Sequence, residues 1–496
     1  MGTTAFKAAI PVLLLSWAAP ASPEGYAPLI SGEAADWKLQ APILLMAGVD
    51  GGGAVIVDRE AAELPGNVAL GPRLRLALVA TNETLVEKGK LTFEYEHDVI
   101  GGFVLGRPDL PGEELPSGGG LTTIPRKASL FLSVSGVHLL AGLTTSQGGL
   151  GLVANNGGSG WEAWGAPFAD PRAGDRVLRL AAALGPIPDL GLLFTLAGDY
   201  VIADDALEPG DTAIQLALRA ELGKLKPNNA SLTVAWRHQR GDNGSNLDAA
   251  ILDLFGQIEE HSGDLHLKLG AEVAATLGQA SLAATPENPN QAVTQLGAAL
   301  RASANYGMAG IHLDLIVASG DADSADNAQT AFRADSSYGF GLVLFRRVLA
   351  AQTGHATATA GDPALVGQPA QGLTRFPSRG AVSNTFGLFP RLSIAPLEGL
   401  EISAGPLFAF ALAPPIDPLN TRLAGGTPMN ALDAKPGKYW GTELDGAIRY
   451  RAIFGQTELV LGVEGGVLLP GSALNMPSGQ PMAAVPGGRA IVQLRL

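Results

Sequence analysis

The stretch KLTFEYEHDV, residues 90–99, places Leu91, Phe93, Tyr95 and Val99 on one parity and Thr92, Glu94, Glu96 and Asp98 on the other. Successive side chains of a strand point to opposite faces, so the segment reads as a strand with one apolar and one acidic face. In a soluble sandwich the apolar face would enter a core. In a membrane barrel it would face lipid, and the carboxylates would line a wet interior.

The same parity recurs along the chain. RLRLALVA (73–80) sets Leu74, Leu76 and Leu78 against Arg73 and Arg75, and TAIQLALRAEL (212–222) sets Ile214, Leu216 and Leu218 against Gln215, Arg219 and Glu221. LHLKLGAEVAATL (265–277) opposes Leu265, Leu267, Leu269 and Val273 to His266, Lys268 and Glu272, while TELDGAIRYR (442–451) gathers Glu443, Asp445, Arg449 and Arg451 on one face. These runs of about ten residues match the length of a tilted bilayer-crossing strand, whereas sandwich strands average about 5–6 residues. No fixed repeat of a β-solenoid is present.

Turns and loops alternate as a barrel requires. Short connections occur at TNETLVEKG, GKLKPNN, EEHSGD, APLEG and IFGQ, and long ones at 48–70, 100–127, 155–174, 413–437 and 470–487. Counting strands from each end reconciles only if residues 319–379 form one long outer excursion. YGFGLVLFRRVLA (338–350) is then loop structure and not a spanning strand. The predicted fold is all-β: a transmembrane antiparallel β-barrel of about 18 strands, an even number as single-chain bacterial barrels show.

Residues 1–21 have Lys7, an apolar run from Ala8 to Ala19 and an A-P-A end, the pattern of a secretory signal peptide cleaved after Ala21. Residues 22–36 are expected to be a periplasmic N-terminal segment and 37–496 the barrel. Mean hydropathy is +0.20 and only 16% of residues are charged, despite 65 glycines and 34 prolines. Lipid-facing strand residues explain this, because their apolar surface need not fit into a core. Cysteine is absent and the net charge is −14, which speaks against nucleic acid as a partner. Aromatic residues make up only 6% of the chain, with Trp37, Tyr200, Trp236, Trp440 and Tyr450 as candidates for the interfacial girdles.

An enzyme is not expected. No G-x-S-x-G elbow occurs, and the histidines at 97, 138, 238, 261, 266, 312 and 355 are scattered singly. Asp321, Asp323 and Asp326 in SGDADSAD are oxygen donors of the calcium type, but Asp326 occupies the position where an EF-hand needs glycine, so an acidic solvated loop is the reading favoured. No metal or cofactor site is predicted. The wet parity gives the candidate lumen-lining set: Arg73, Arg75, Glu94, Glu96, Asp98, Arg179, Arg219, Glu221, Arg237, Glu272, Arg301, Arg391, Glu443, Asp445, Arg449 and Arg451, with Glu458 and Glu464 on the same parity. Such rings either orient solutes in a pore or pair with one another and close it. Arg346 and Arg347, on the long excursion, are candidates to meet wall carboxylates and hold it as a plug or gate.

Several of these stretches, in order, resemble a largely uncharacterised family of outer-membrane proteins from myxobacteria and related bacteria that is similar to alginate-export porins. They are RLRLALVATNETLVEKGKLTFEYEHDVIGGFVLG, IPRKASLFLSVSGVHLLAGLTTSQGGLGLVANNG, GDRVLRL, VASGDADSAD, YGFGLVLFRR and YWGTELDGAIRYRAIFGQTELVLGVEGGVLLPGSAL. GLTTSQGGLG departs from the family, which tends to have Gly-Arg-Met and Trp-Gly before this Gly-Leu-Gly. The resemblance implies a Gram-negative outer-membrane location, contact with lipid and lipopolysaccharide, and passage or export of a small polar solute or saccharide. A non-transporting structural or adhesive barrel with a closed lumen remains the open alternative.

Overall fold

A computed structural model describes residues 31–34, 36–105, 120–157, 174–187, 190–223, 228–323, 326–369 and 371–496. The expected leader lies outside the described residues. Eighteen antiparallel strands close into one barrel. They are β1 (Ile43–Gly52), β2 (Asn67–Asn82), β3 (Gly89–Leu105), β4 (Gly120–Val134), β5 (Val137–Thr145) and β6 (Arg176–Ile187). Next come β7 (Leu192–Ala203), β8 (Thr212–Leu222), β9 (Asn229–Arg240), β10 (Asn246–Ser262), β11 (Leu265–Ala280) and β12 (Gln291–Tyr306). The wall is completed by β13 (Ala309–Ala318), β14 (Thr385–Leu397), β15 (Leu400–Phe410), β16 (Tyr439–Phe454), β17 (Thr457–Pro470) and β18 (Val485–Arg495).

Each strand pairs with its neighbours in sequence, and β18 pairs with β1 from Gly487↔Gly52 to Arg495↔Leu44. Ile43 and Leu496 exchange backbone hydrogen bonds at 3.0 and 2.8 Å where the seam ends. Closure leaves no edge, which matters because unpaired amides cost several kcal/mol each in hydrocarbon. A further hairpin, Ser31–Ala34 with Trp37–Gln40, joins the sheet along β2, so part of the segment expected to precede the barrel is itself paired.

Faces follow the parity of the sequence. Along β6, Leu178, Leu180 and Leu184 are exposed while Val177, Arg179, Ala181 and Ala183 are buried, and Leu180 at 71% exposure is the extreme. An exposed leucine beside a buried arginine inverts the soluble-protein rule. It is the arrangement a lipid-facing wall requires.

Connections are short at one rim. At Ser135–Gly136 both residues have positive φ, 48° and 83°, the signature of a two-residue type I′ hairpin turn. Long loops gather at the other rim, but strands run further into them than the glycines suggested: β1 reaches Gly52 and β3 reaches Leu105, because a ladder needs backbone groups and not side chains. Between β13 and β14 lies the long excursion, residues 319–384. As expected, 338–350 is not a wall strand. Leu344–Leu349 forms a π-helical turn leading into α1 (Ala350–Ala360), whose five alanines favour the helix while Gly354 and three threonines do not. Thr353 and Thr357 return their hydroxyls to the carbonyls of Leu349 and Thr353, so the buried helix carries no unsatisfied hydroxyl at these positions.

Candidate functional site

Most of the charged residues predicted for the wet face are buried on the side of the wall opposite the exposed leucines, and many pair with a charge on an adjacent strand. Arg75 grips Asp98 in bidentate fashion, with Nε and Nη2 at 2.7 and 2.9 Å, and Arg73 approaches the same carboxylate at 3.9 Å. Glu96 receives Arg126 at 2.5 Å, and Lys127 lies 3.7 Å from Glu94. Around the wall, Arg179 is bidentate to Asp199 at 2.7 Å, Arg219 lies 3.4 Å from Glu221, and Arg237 reaches Asp204 at 2.5 Å. On the far side Arg391 donates to Asp314 at 2.7 Å, Arg489 to Glu464 at 2.5 Å, and Glu458 takes both Arg451 and Arg495. Asp445 is buried near Glu443, Glu464 and Arg391, and Arg449 near Glu401, Glu464 and Arg489. Charges removed from water persist only when matched in this way.

Two of the predicted wall residues anchor loops. Glu272 is fully buried and accepts the backbone N–H groups of Leu150 and Leu152, from the loop between β5 and β6. Glu443 is equally buried and accepts from Leu342 at 2.5 Å and from Val343 and Leu344 at 2.7 Å. Both offer carboxyl oxygens to amides that an inward-folded loop would otherwise bury without partners. Arg301 likewise donates to Gly339 O at 3.0 Å and stacks over the Tyr338 ring, 4.4 Å from its centroid. Parity predicted which face these groups occupy. What they bind depends on contacts 38 to 122 residues away in sequence, which no local pattern encodes.

The excursion packs against the inner wall. Phe340 meets Phe389 edge-on with centroids 6.1 Å apart, and Leu344, Phe345 and Val348 join Ile316, Leu407 and Leu468 in one buried cluster. The wall is recessed to receive them, since a Cβ at Gly387 would strike the Phe340 ring and one at Gly297 the Phe332 ring. Arg347 reaches Asp50 at 2.9 Å. Burial and the neighbouring Arg489 bring the Arg346 guanidinium down to about 9, against the pull of Asp50, Glu464 and Glu443.

At the long-loop rim the excursion meets the loop after β7. Ser336 donates to Asp205 through both N–H and hydroxyl, at 2.5 and 2.9 Å, and Arg375 and Arg379 reach Asp211 and Glu208, each at 2.6 Å. Asp175 and Asp335 are held well above the usual carboxylate range, first by burial, and then Asp175 by Asp335, Asp204 and Asp205 and Asp335 by Asp205 and Asp204. The acidic run singled out in the sequence serves the loop itself: Asp321 accepts from the backbone of Asp323 and Thr330, and Asp326 from Ala328.

One constellation was missed. The histidines read as isolated are not all so, because β10 extends through His261 and its register with β11 sets His261 opposite His266, with ring centroids 4.1 Å apart. Glu259 completes a group whose donor atoms lie within 4.8 Å of one another. The signal lay in EEHSGDLH, where a two-residue turn at Gly263–Asp264 makes 261 and 266 direct partners.

No protein-family model matches the chain, and no curated protein matches it significantly. Solved structures do. OccK2 (OpdF) of Pseudomonas aeruginosa in complex with glucuronate is 12% identical, over 92% of this chain and 98% of that one, with a TM-score of 0.51. The same protein in a second structure gives 12%, 92%, 97% and 0.50. The outer membrane protein opdK from Pseudomonas aeruginosa gives 12%, 94%, 100% and 0.49. At this identity the likeness to OccK2 is one of fold. A closed 18-stranded barrel with an apolar outer belt and a charged interior is an outer-membrane fold, and the outer membrane of a Gram-negative cell is where this chain resides.

Proposed function

We propose that the chain is a porin-like channel for passive diffusion or export of small polar solutes, saccharides among them, narrowed by the excursion at 319–384. The observation that carries this reading is the inner face itself. Charges of both signs follow one another around the whole wall, from the Arg75–Asp98 pair to the Arg489–Glu464 pair, a lining that suits water and polar cargo. The fold shared with OccK2, solved with the sugar acid glucuronate, supports it, as does the resemblance to alginate-export porins. Lipopolysaccharide is the proposed neighbour of the exposed leucines in the outer leaflet.

The packing of Tyr338, Phe340 and Phe345 inside the barrel favours a second reading, a closed structural barrel without transport. Planar-bilayer recording separates the two. A channel gives discrete conductance steps, and deletion of residues 325–375 makes them larger. A correctly assembled protein that never conducts, with or without the deletion, would leave the structural reading in place.

A further inference from the structure

We infer that Glu259, His261 and His266 form a binding site for a divalent transition cation of the zinc type, on the inner face of the short-turn rim. His266 Nε2 lies 2.9 Å from Glu259 Oε1, and His261 Nε2 lies 3.4 Å from the same oxygen. Zinc bonds of about 2.0–2.1 Å at tetrahedral angles hold donors about 3.3 Å apart, so the observed separations bracket the edge of that polyhedron. The two imidazoles are stacked with 9° between their planes, so binding turns the rings until the three donors converge on one centre.

The architecture favours a preformed site. The two histidines are cross-strand partners at the end of a tight hairpin, where the turn fixes their register. Glu259 shares the inner face of β10 with His261, two residues along. Its other oxygen, Oε2, lies 3.8 Å from Lys268 Nζ, which orients the carboxylate and leaves Oε1 turned towards both imidazoles. His261 is 65% exposed on its side chain and His266 35%, so a hydrated ion reaches them without any rearrangement of the wall.

Donor chemistry selects the ion. Two imidazoles with one carboxylate suit zinc, nickel or copper, whereas calcium and magnesium take oxygen ligands. Three protein donors leave at least one position for water or for a ligand at the mouth of the barrel. Elsewhere His238 has a single carboxylate partner, Asp248 at 2.8 Å, and supplies a control at a position outside the cluster.

The test is titration of the full, detergent-solubilised barrel with zinc, read by calorimetry and by competition with a chromophoric chelator. One saturable site is expected. His261→Ala or His266→Ala should weaken it by more than the roughly 10- to 100-fold that loss of a supporting residue costs. His238→Ala should leave it unchanged, and the shift in gel mobility between unboiled and boiled samples verifies that every variant is folded. Absence of saturable binding, or a site that survives the double replacement of His261 and His266, would overturn the assignment.

Discussion

Arg347 Nη2 lies 2.9 Å from Asp50 Oδ1, joining the excursion between β13 and β14 to the first strand of the wall. The guanidinium rests where Gly52 carries no side chain, for a Cβ there would collide with it. Asp50 is about half exposed, however, and an ion pair in contact with water contributes little, about 1 kcal/mol or less. Buried Glu443, with three amide donors, carries more of the attachment.

That contrast gives the first prediction. Glu443→Ala leaves three buried N–H groups without an acceptor, at about 1–3 kcal/mol each, and should release residues 338–349 from the wall. Asp50→Asn should have little effect. Limited proteolysis of the folded barrel checks both, and equal cleavage in the two variants would remove Glu443 from its role as anchor.

A second prediction concerns the recesses. Gly387→Leu fills the space occupied by the Phe340 ring from the wall side, so the excursion should shift while the wall still closes. The expected readout is a barrel of unchanged heat-modifiability with altered single-channel conductance. Loss of the folded form on gels would mean that the wall, and not the excursion, gives way.

The opening strand supplies the third. Phe93 shares the outward parity of Tyr95, which is 39% exposed, whereas Glu94 is on the inner side, 3.7 Å from Lys127. Phe93→Arg should impair assembly by about 2–4 kcal/mol if it lies near the midplane. Glu94→Gln should assemble almost normally. Urea titration in lipid vesicles measures the difference, and matching losses would mean that the faces are reversed.

The fourth follows from the carboxylates at the long-loop rim. Asp175 and Asp335 are raised well above the usual range by burial, with Asp335 adding to it for Asp175 and Asp204 and Asp205 for both, and burial raises Asp417 to about 6. Folded-state values above the unfolded ones mean stability present at low pH and lost as pH rises through them. The junction of Asp335 with the loop after β7 should therefore tighten as pH falls through the range, above that of ordinary carboxylates, in which Asp175 and Asp335 take up protons. Hydrogen exchange of residues 332–338, corrected for intrinsic rate, should slow over the upper part of that range. Protection that rises with pH would contradict the assignment.

Parity made the wall legible, because a one-residue error would send Arg75 or Arg179 into lipid. The 338–350 segment was legible from the strand count, because the counts from the two ends agree only if residues 319–379 leave the wall as one excursion. Less could be read inside the barrel. Glu272 and Glu443 carry the same local pattern as Glu94, yet each is fully buried under a loop contributed by a distant part of the chain. The His261–His266 pair was hidden by a boundary, since EEH was taken as turn and belongs to β10.

The separation of partners along the chain also orders events in time. Almost every wall strand pairs with the strand made just before it, over connections that are short at one rim and longer at the other. The excursion is different: its attachments reach forward about 100 residues to Glu443 and back 297 to Asp50. Loops of that length close late, and Glu443 has no neighbour on its far side until β17 is in place. By the same measure the seam that joins Gly487 to Gly52 closes later still, and a chain halted before β16 would hold Tyr338 to Leu349 without the Glu443 carboxylate on which they dock.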